Sequence, residues 1–275
     1  MGVVEAALAT ARTSEWINLG FLSFFVVVAW LRPLALRKRL EVTALGALGI
    51  GLILATLWAR DFLPGIARDL LPAPLMLLVY WQSGRFFVAP NERIQALLER
   101  LDQRVLGRLL RSEGQQAGRS WPAGFLELAY LLCYPLVPLG VIVLYAVGLR
   151  EAVDEYWAIV LVSTYLCYVL LPFIQTLPPR LLAGEKDRGA PAGLIRLLNL
   201  GILHHASIQV NTFPSAHVAS TIAASLALLR FLPAAGAAFL VLALGIAAGA
   251  VLGRYHYVVD ALIGIALAGV VFLQI

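Results

Sequence analysis

Two short polar clusters interrupt an otherwise apolar sequence. One is Pro214-Ser215-Ala216-His217. The other is Arg254-Tyr255-His256-Tyr257, with Asp260 four residues after His256. Ionisable groups in membrane segments are costly, so such groups mark functional sites by default. The residue types suit phosphoryl transfer through a histidine. Asp260 and His256 are spaced i, i+4 and share a helix face. The carboxylate can hold one ring nitrogen of His256 and leave the other as a nucleophile. His217 is then free to protonate the leaving oxygen as general acid. Arg180 and Arg254 can grip phosphate oxygens through their planar forks. Ser215 falls at a helix start, where a hydroxyl and free N–H groups favour an anion.

Each residue also has a plainer reading. Ser215 is a good N-cap in its own right. Arg254 can snorkel as an anchor between Tyr255 and Tyr257. Arg180 can be a flanking positive charge, and His256 an interfacial histidine among aromatics. His204 and His205 read as loop residues. Asn211 suits a turn as well as a headgroup contact. Cys133 and Cys167 fall in apolar segments without metal-ligand spacing and read as free buried thiols. No carboxylate or cysteine cluster asks for a metal, so neither a metal nor another cofactor is expected.

The elements that must position these groups are membrane helices. Of the 275 residues, 61% are hydrophobic and 13% charged, which excludes an ordinary soluble domain. Mean hydropathy is +0.85. The first fifteen residues carry Glu5, Arg12 and Glu15 and no basic lead, so the first apolar run reads as an uncleaved span. Apolar runs cover Trp16–Leu31, Val42–Ala59, Leu70–Val88, Phe125–Leu149, Trp157–Leu177, His217–Phe231, Ala234–Leu252 and Tyr257–Leu273. The expected fold is an all-α, polytopic membrane bundle of about eight helices, since open sheets cannot satisfy their backbone in lipid. Pro72 and Pro74 break the start of the third run, which reads as kinked or re-entrant.

Between the third and fourth runs, Ile94, Leu97, Leu98, Leu101, Val105 and Leu109 form one helical stripe, flanked by Arg100, Arg104, Arg108 and Arg111. This predicts an amphipathic helix at the interface, with a solvated basic face or a headgroup-gathering role. Gly245, Gly249 and Gly253 form a bare ridge that predicts a centrally packed seventh helix. The chain divides into an N-terminal membrane segment with the interfacial helix, 1–122, and a catalytic core, 123–275. Alternate crossing puts the Pro178–Pro214 loop and the loop at Arg254 on one side of the membrane.

The motifs resemble those of the type 2 phosphatidic acid phosphatase (PAP2) superfamily, and most closely its branch with the inositol phosphorylceramide synthases. That superfamily carries Lys-x6-Arg-Pro, Pro-Ser-Gly-His and Ser-Arg-x5-His-x3-Asp. Pro214, Ser215 and His217 match the second, with Ala216 for Gly. His256 and Asp260 match the end of the third, where Gly249 and Ala250 stand at the Ser-Arg positions. Only Arg180 matches the first, with Phe173 for Lys and Leu181 for Pro. Arg254 could supply the missing cation. The resemblance covers about Phe125 to Leu273. It implies a phosphohistidine on His256 and a lipid phosphate or phosphodiester substrate in the bilayer, not nucleic acid. The expected activity is that of a lipid phosphatase. A phosphotransferase passing a headgroup between lipids, and a non-enzymatic lipid transporter or scaffold, are the alternatives.

The expected location is a cell (inner) membrane, crossed several times. Basic residues concentrate at the end that bears the motifs, which the positive-inside rule assigns to the cytoplasm. The resemblance implies a periplasmic, extracellular or lumenal site. The two leave the side open.

Overall fold

The computed structural model describes residues 9–113, 128, 130–182, 197, 201, 207–208 and 210–275, without the side chains of 108–113. The described residues form an all-α bundle. Its helices are α1 (Thr13–Leu31), α2 (Leu36–Trp58), α3 (Gly65–Leu70), α4 (Pro72–Gly84), α5 (Glu92–Glu113), α6 (Cys133–Ala146), α7 (Val153–Leu170), α8 (Pro179–Leu182), α9 (Ala216–Phe231), α10 (Pro233–Leu252) and α11 (Val258–Gln274). Four of them, α1, α2, α10 and α7 with its leading turn, are long and apolar enough to cross a membrane. Helices α6, α9 and α11 are shorter and equally apolar. Large apolar side chains such as Trp30, Leu48, Trp58, Ile142, Val241 and Leu262 are exposed around the bundle. A soluble protein would not leave so many uncovered, whereas lipid accepts them.

Polar contacts tie the helices together at two ends. At one end, Arg32 donates to the Pro172 carbonyl at 3.1 Å and Lys38 to that of Phe87 at 2.6 Å. At the other end lies a charge network. Asp69 accepts from Arg12 and Tyr145, and from Arg150 at 2.9 Å. Arg68 pairs with Glu15 at 2.7 Å. Asp154, in the first turn of α7, accepts from the N–H groups of Thr13 and Ser14 and so caps α1.

These ties decide the third apolar run. It begins beside Asp69 at one end and reaches Phe86 and Phe87 at the other, so α4 runs from end to end and is not re-entrant. The proline pair does break it, at Leu71, with Pro72 in the first turn of α4. Arg32–Arg39 therefore stays at the end that carries the motifs.

The centre of the bundle is α7 and α9. Two thirds of α7 is buried, against 39% for α10. The expectation of a central seventh helix is thus corrected. Helix α10 lies at the periphery against α9, and its buried face is Phe239, Ala243, Ile246, Ala247 and Ala250. The alanines on this face allow a close approach to α9. Of the predicted glycine ridge only Gly249 is buried. Both cysteines are free and buried, as expected.

Helix α5 forms as the stripe predicted, but it docks on the protein through a different face. Gln95, Leu98 and Asp102 are buried, while Leu97 and Val105 are exposed beside Arg100 and Arg104. The side chains of Arg108 and Arg111 lie outside the described residues, as do His204 and His205.

Candidate active site

The site end of the bundle is assembled from chain segments that meet through their backbones. The Arg180 N–H donates to the Arg254 carbonyl at 3.1 Å, and the Ser215 N–H to the Asp260 carbonyl at 3.0 Å. The first contact joins the loop after α7 to the loop before α11. The second joins the start of α9 to α11. Gly264 permits this last approach, because a Cβ there would meet the Ser215 carbonyl at 2.6 Å. The convergence expected from alternating helices is therefore present in the geometry.

Between these segments lies a cavity of about 40 Å³. One water needs roughly 10–15 Å³, so the space admits a small polar group. His217, His256 and Arg180 line it, with Tyr80, Tyr130, Tyr168, Tyr255 and Asn211. The two imidazole rings lie 5.8 Å apart. The Arg180 guanidinium lies 5.6 Å from the Tyr255 ring centre, and Tyr255 stacks on Tyr130 at 4.2 Å. Among the described residues no carboxylate pairs with Arg180. Burial lowers its proton affinity and the surrounding tyrosines oppose this, while guanidinium stays charged in proteins. A cation held this way is prepared for an anion.

The Thr212 carbonyl lies 3.1 Å from Nδ1 of His256. A carbonyl only accepts, so Nδ1 carries the proton and Nε2 keeps its lone pair. Asp260 Oδ2 lies 3.4 Å from the same nitrogen and accepts the Tyr257 N–H at 3.0 Å. Asp260 is fully buried, and its Oδ1 has no partner among the described residues. Its charge thus acts on the ring at longer range than a direct hydrogen bond. The sequence pointed to Asp260 as the holder of the ring; the structure adds a nearer partner, the backbone of Thr212.

Ser215 caps α9, its Oγ accepting from the Val218 N–H at 3.4 Å. It is wholly buried and is not among the residues lining the cavity. Arg254 is also outside the lining. Its backbone is left-handed, φ 61°, and its buried Nε has no partner among the described residues. Of the six residues singled out from sequence, the structure brings His217, His256 and Arg180 to the cavity wall. Asp260, Ser215 and Arg254 lie outside its lining, with Asp260 3.4 Å from His256.

Other contributors had no motif to announce them. Tyr80 comes from α4, well before the stretch carrying the motifs. Gln95 and Asp102 of α5 reach the loop that holds His256. Gln95 donates to the Tyr257 hydroxyl, and Asp102 accepts the Val258 N–H at 2.8 Å, capping α11. No sequence signal marked them, because they lie off the predicted apolar stripe and read as solvated polar residues.

The curated proteins and the solved structures yield no significant match. The profile of the PAP2 superfamily matches residues 98–274. That stretch is well over half of the chain, holds both histidines and Asp260, and begins inside α5. The chain belongs to the PAP2 superfamily.

Proposed function

We propose that the protein is a multi-pass membrane phosphatase that hydrolyses a lipid phosphate monoester through a phosphohistidine. The observation that carries this reading is the pair of cavity histidines 5.8 Å apart beside Arg180, which has no carboxylate partner among the described residues. In the proposed reaction Arg180 holds the phosphate oxygens. His256 Nε2 forms a bond to phosphorus as the bond to the lipid oxygen breaks, and protonated His217 gives that oxygen its proton. Water then attacks the phosphohistidine and loses a proton to His217. Phosphate leaves and His256 regains its lone pair. Asp260 and the Thr212 carbonyl fix the ring and offset the positive charge that develops on it. Arg254 and Ser215 support the phosphate from outside the cavity lining, Ser215 by ordering the start of α9.

Membrane placement favours a lipid substrate. Helices α9 and α11 are about 24–26 Å long, short of the ~30 Å hydrocarbon core. Histidines at their starts are thereby recessed toward acyl-chain depth, within reach of a lipid phosphate. An alcohol in place of water would give transfer between lipids, as in the synthase-like branch that the motifs resemble.

The test is phosphate release from a panel of lipid phosphates by the purified protein, with His256→Ala as control. Release by the wild type and none by the variant is expected. Equal release by both would remove the reading.

A further inference from the structure

Asn211 is the cavity residue whose chemistry the proposed reaction does not use. Only 7% of it is exposed. Both Nδ2 and Oδ1 are buried without a partner among the described residues. Its backbone, by contrast, is fixed. The Asn211 N–H donates to the Thr176 carbonyl at 2.8 Å, and the next N–H, of Thr212, to Thr176 Oγ1 at 3.3 Å. The residue adopts a left-handed conformation, φ 59°. Asparagine tolerates this better than most residues, so turn geometry explains the backbone. It does not explain a carboxamide left unpaired in a cavity wall. Buried amide groups are costly unless paired, and a persistent exception points to a role.

The carboxamide has one donor end and one acceptor end, whichever way it is turned. An ionised phosphate offers only acceptors and can satisfy the Nδ2 end alone. The Oδ1 end needs an O–H or N–H. The Arg180, histidine and tyrosine donors around the cavity leave it unpaired. No donor among the described residues pairs it, and a donor carried by the ligand would.

We infer that Asn211 reads a hydroxyl group presented beside the phosphate, Nδ2 donating to a phosphate oxygen and Oδ1 accepting from the hydroxyl. This rests on the reading of the cavity as a phosphate site. The ligand class is a phosphate monoester of a polyol, or a phosphate met by an entering alcohol. Asn211 is then a specificity residue, and substrates lacking the hydroxyl are disfavoured because Oδ1 stays unpaired.

The experiment is ligand binding to the full chain in detergent, read as thermal stabilisation across a concentration series. The probes are glycerol 3-phosphate, propyl phosphate, and inorganic phosphate with and without glycerol. Wild type should bind glycerol 3-phosphate ~10-fold or more tighter than propyl phosphate. Asn211→Gly suits the left-handed backbone and should bring the two within about twofold. Asn211→Asp keeps an acceptor but sets a negative charge against phosphate, and should weaken every phosphate probe about tenfold or more. A preference seen with joined hydroxyls assigns the hydroxyl to the headgroup. A preference seen only when glycerol joins inorganic phosphate assigns it to the entering alcohol. Equal binding of both esters by wild type without any glycerol effect, or a preference kept in Asn211→Gly, overturns the inference. If no probe binds wild type, the phosphate-site reading fails and this inference falls with it.

Discussion

In the proposed reaction His256 and His217 divide the work by their surroundings. The Thr212 carbonyl fixes the tautomer of His256, which favours nucleophilic Nε2. His217 has tyrosines on several sides, with ring centres of Tyr134, Tyr130 and Tyr80 at 5.8, 6.0 and 6.4 Å. The proposed roles predict different leaving-group sensitivity. His217→Ala should lower turnover of a lipid phosphate by ~10²–10⁴-fold and of an activated aryl phosphate much less. Asp260→Asn should slow both, because it weakens the nucleophile whatever departs. Steady-state rates with the two substrates separate these patterns. Equal loss from His217→Ala in a folded preparation would recast it as a phosphate ligand. These two histidines and Asp260 stood out in sequence as polar groups in apolar runs. His256, however, precedes the N-cap of α11 and so does not share a helix face with Asp260 as the i, i+4 spacing implied. The Thr212 carbonyl was not legible, since a backbone acceptor has no residue signature. Nor was the exclusion of Ser215 and Arg254 from the cavity lining, which depends on turn geometry.

Helix α5 is the element whose sequence said least about its role. Its apolar stripe with flanking arginines marks an amphipathic helix, and that much was readable. The buried Gln95 and Asp102 are polar, so periodicity placed them on the wrong face. Their contacts give α5 a positioning role, since Asp102 caps the helix that carries Asp260. Burial raises the proton affinity of Asp102, nearby Asp260 adds to this, and the Val258 N–H and Arg254 oppose it. Charge at this position is therefore a cost, while the acceptor oxygen is the benefit. Asp102→Asn should keep the cap and be near neutral in thermal melts. Asp102→Ala should cost about 0.5–2 kcal/mol, the usual worth of an N-cap, and lower kcat. Equal behaviour of the two variants would deny the capping role. The helix boundaries were largely legible, because apolar runs in lipid are long and simple. Helix α7 begins earlier than its apolar run, at Val153, because Asp154 and Glu155 suit the N-terminal turn.

The whole molecule is held at two ends, with chemistry proposed at only one. At the opposite end, Asp69 joins α3, the entry to α1 and the end of α6. Burial alone would raise its pKa, but hydrogen bonds from Tyr145, Arg12 and Arg150 together hold it below the usual carboxylate value. A carboxylate lowered in this way stabilises the fold above its unfolded pKa, ~3.9. That contribution is lost as pH falls through the lower folded value. Thermal stability in detergent should thus hold a contribution from Asp69 near neutrality and lose it below about pH 4. Asp69→Asn should lower stability at pH 7 by about 2–3 kcal/mol, less than a fully buried pair because two of the arginines are partly exposed. The difference from wild type should shrink in acid, and a pH-independent difference would contradict the assignment. Activity should survive chelation at any pH the fold tolerates, since Arg180 and not a metal is proposed to hold the phosphate. Loss on chelation that magnesium restores would oppose that part of the account. The bundle itself was foreseeable from composition, but this end network was not, because its partners are far apart in sequence.

The most direct test of the central claim is to trap the phosphoenzyme. The purified protein is mixed with a lipid phosphate labelled in its phosphoryl group, quenched within a turnover under alkaline conditions that preserve phosphohistidine, and mapped by peptide mass spectrometry. The account predicts label on His256, absent from His256→Ala and accumulating when an activated leaving group speeds the first step. Steady turnover with no labelled histidine, or with label on another residue, would contradict it.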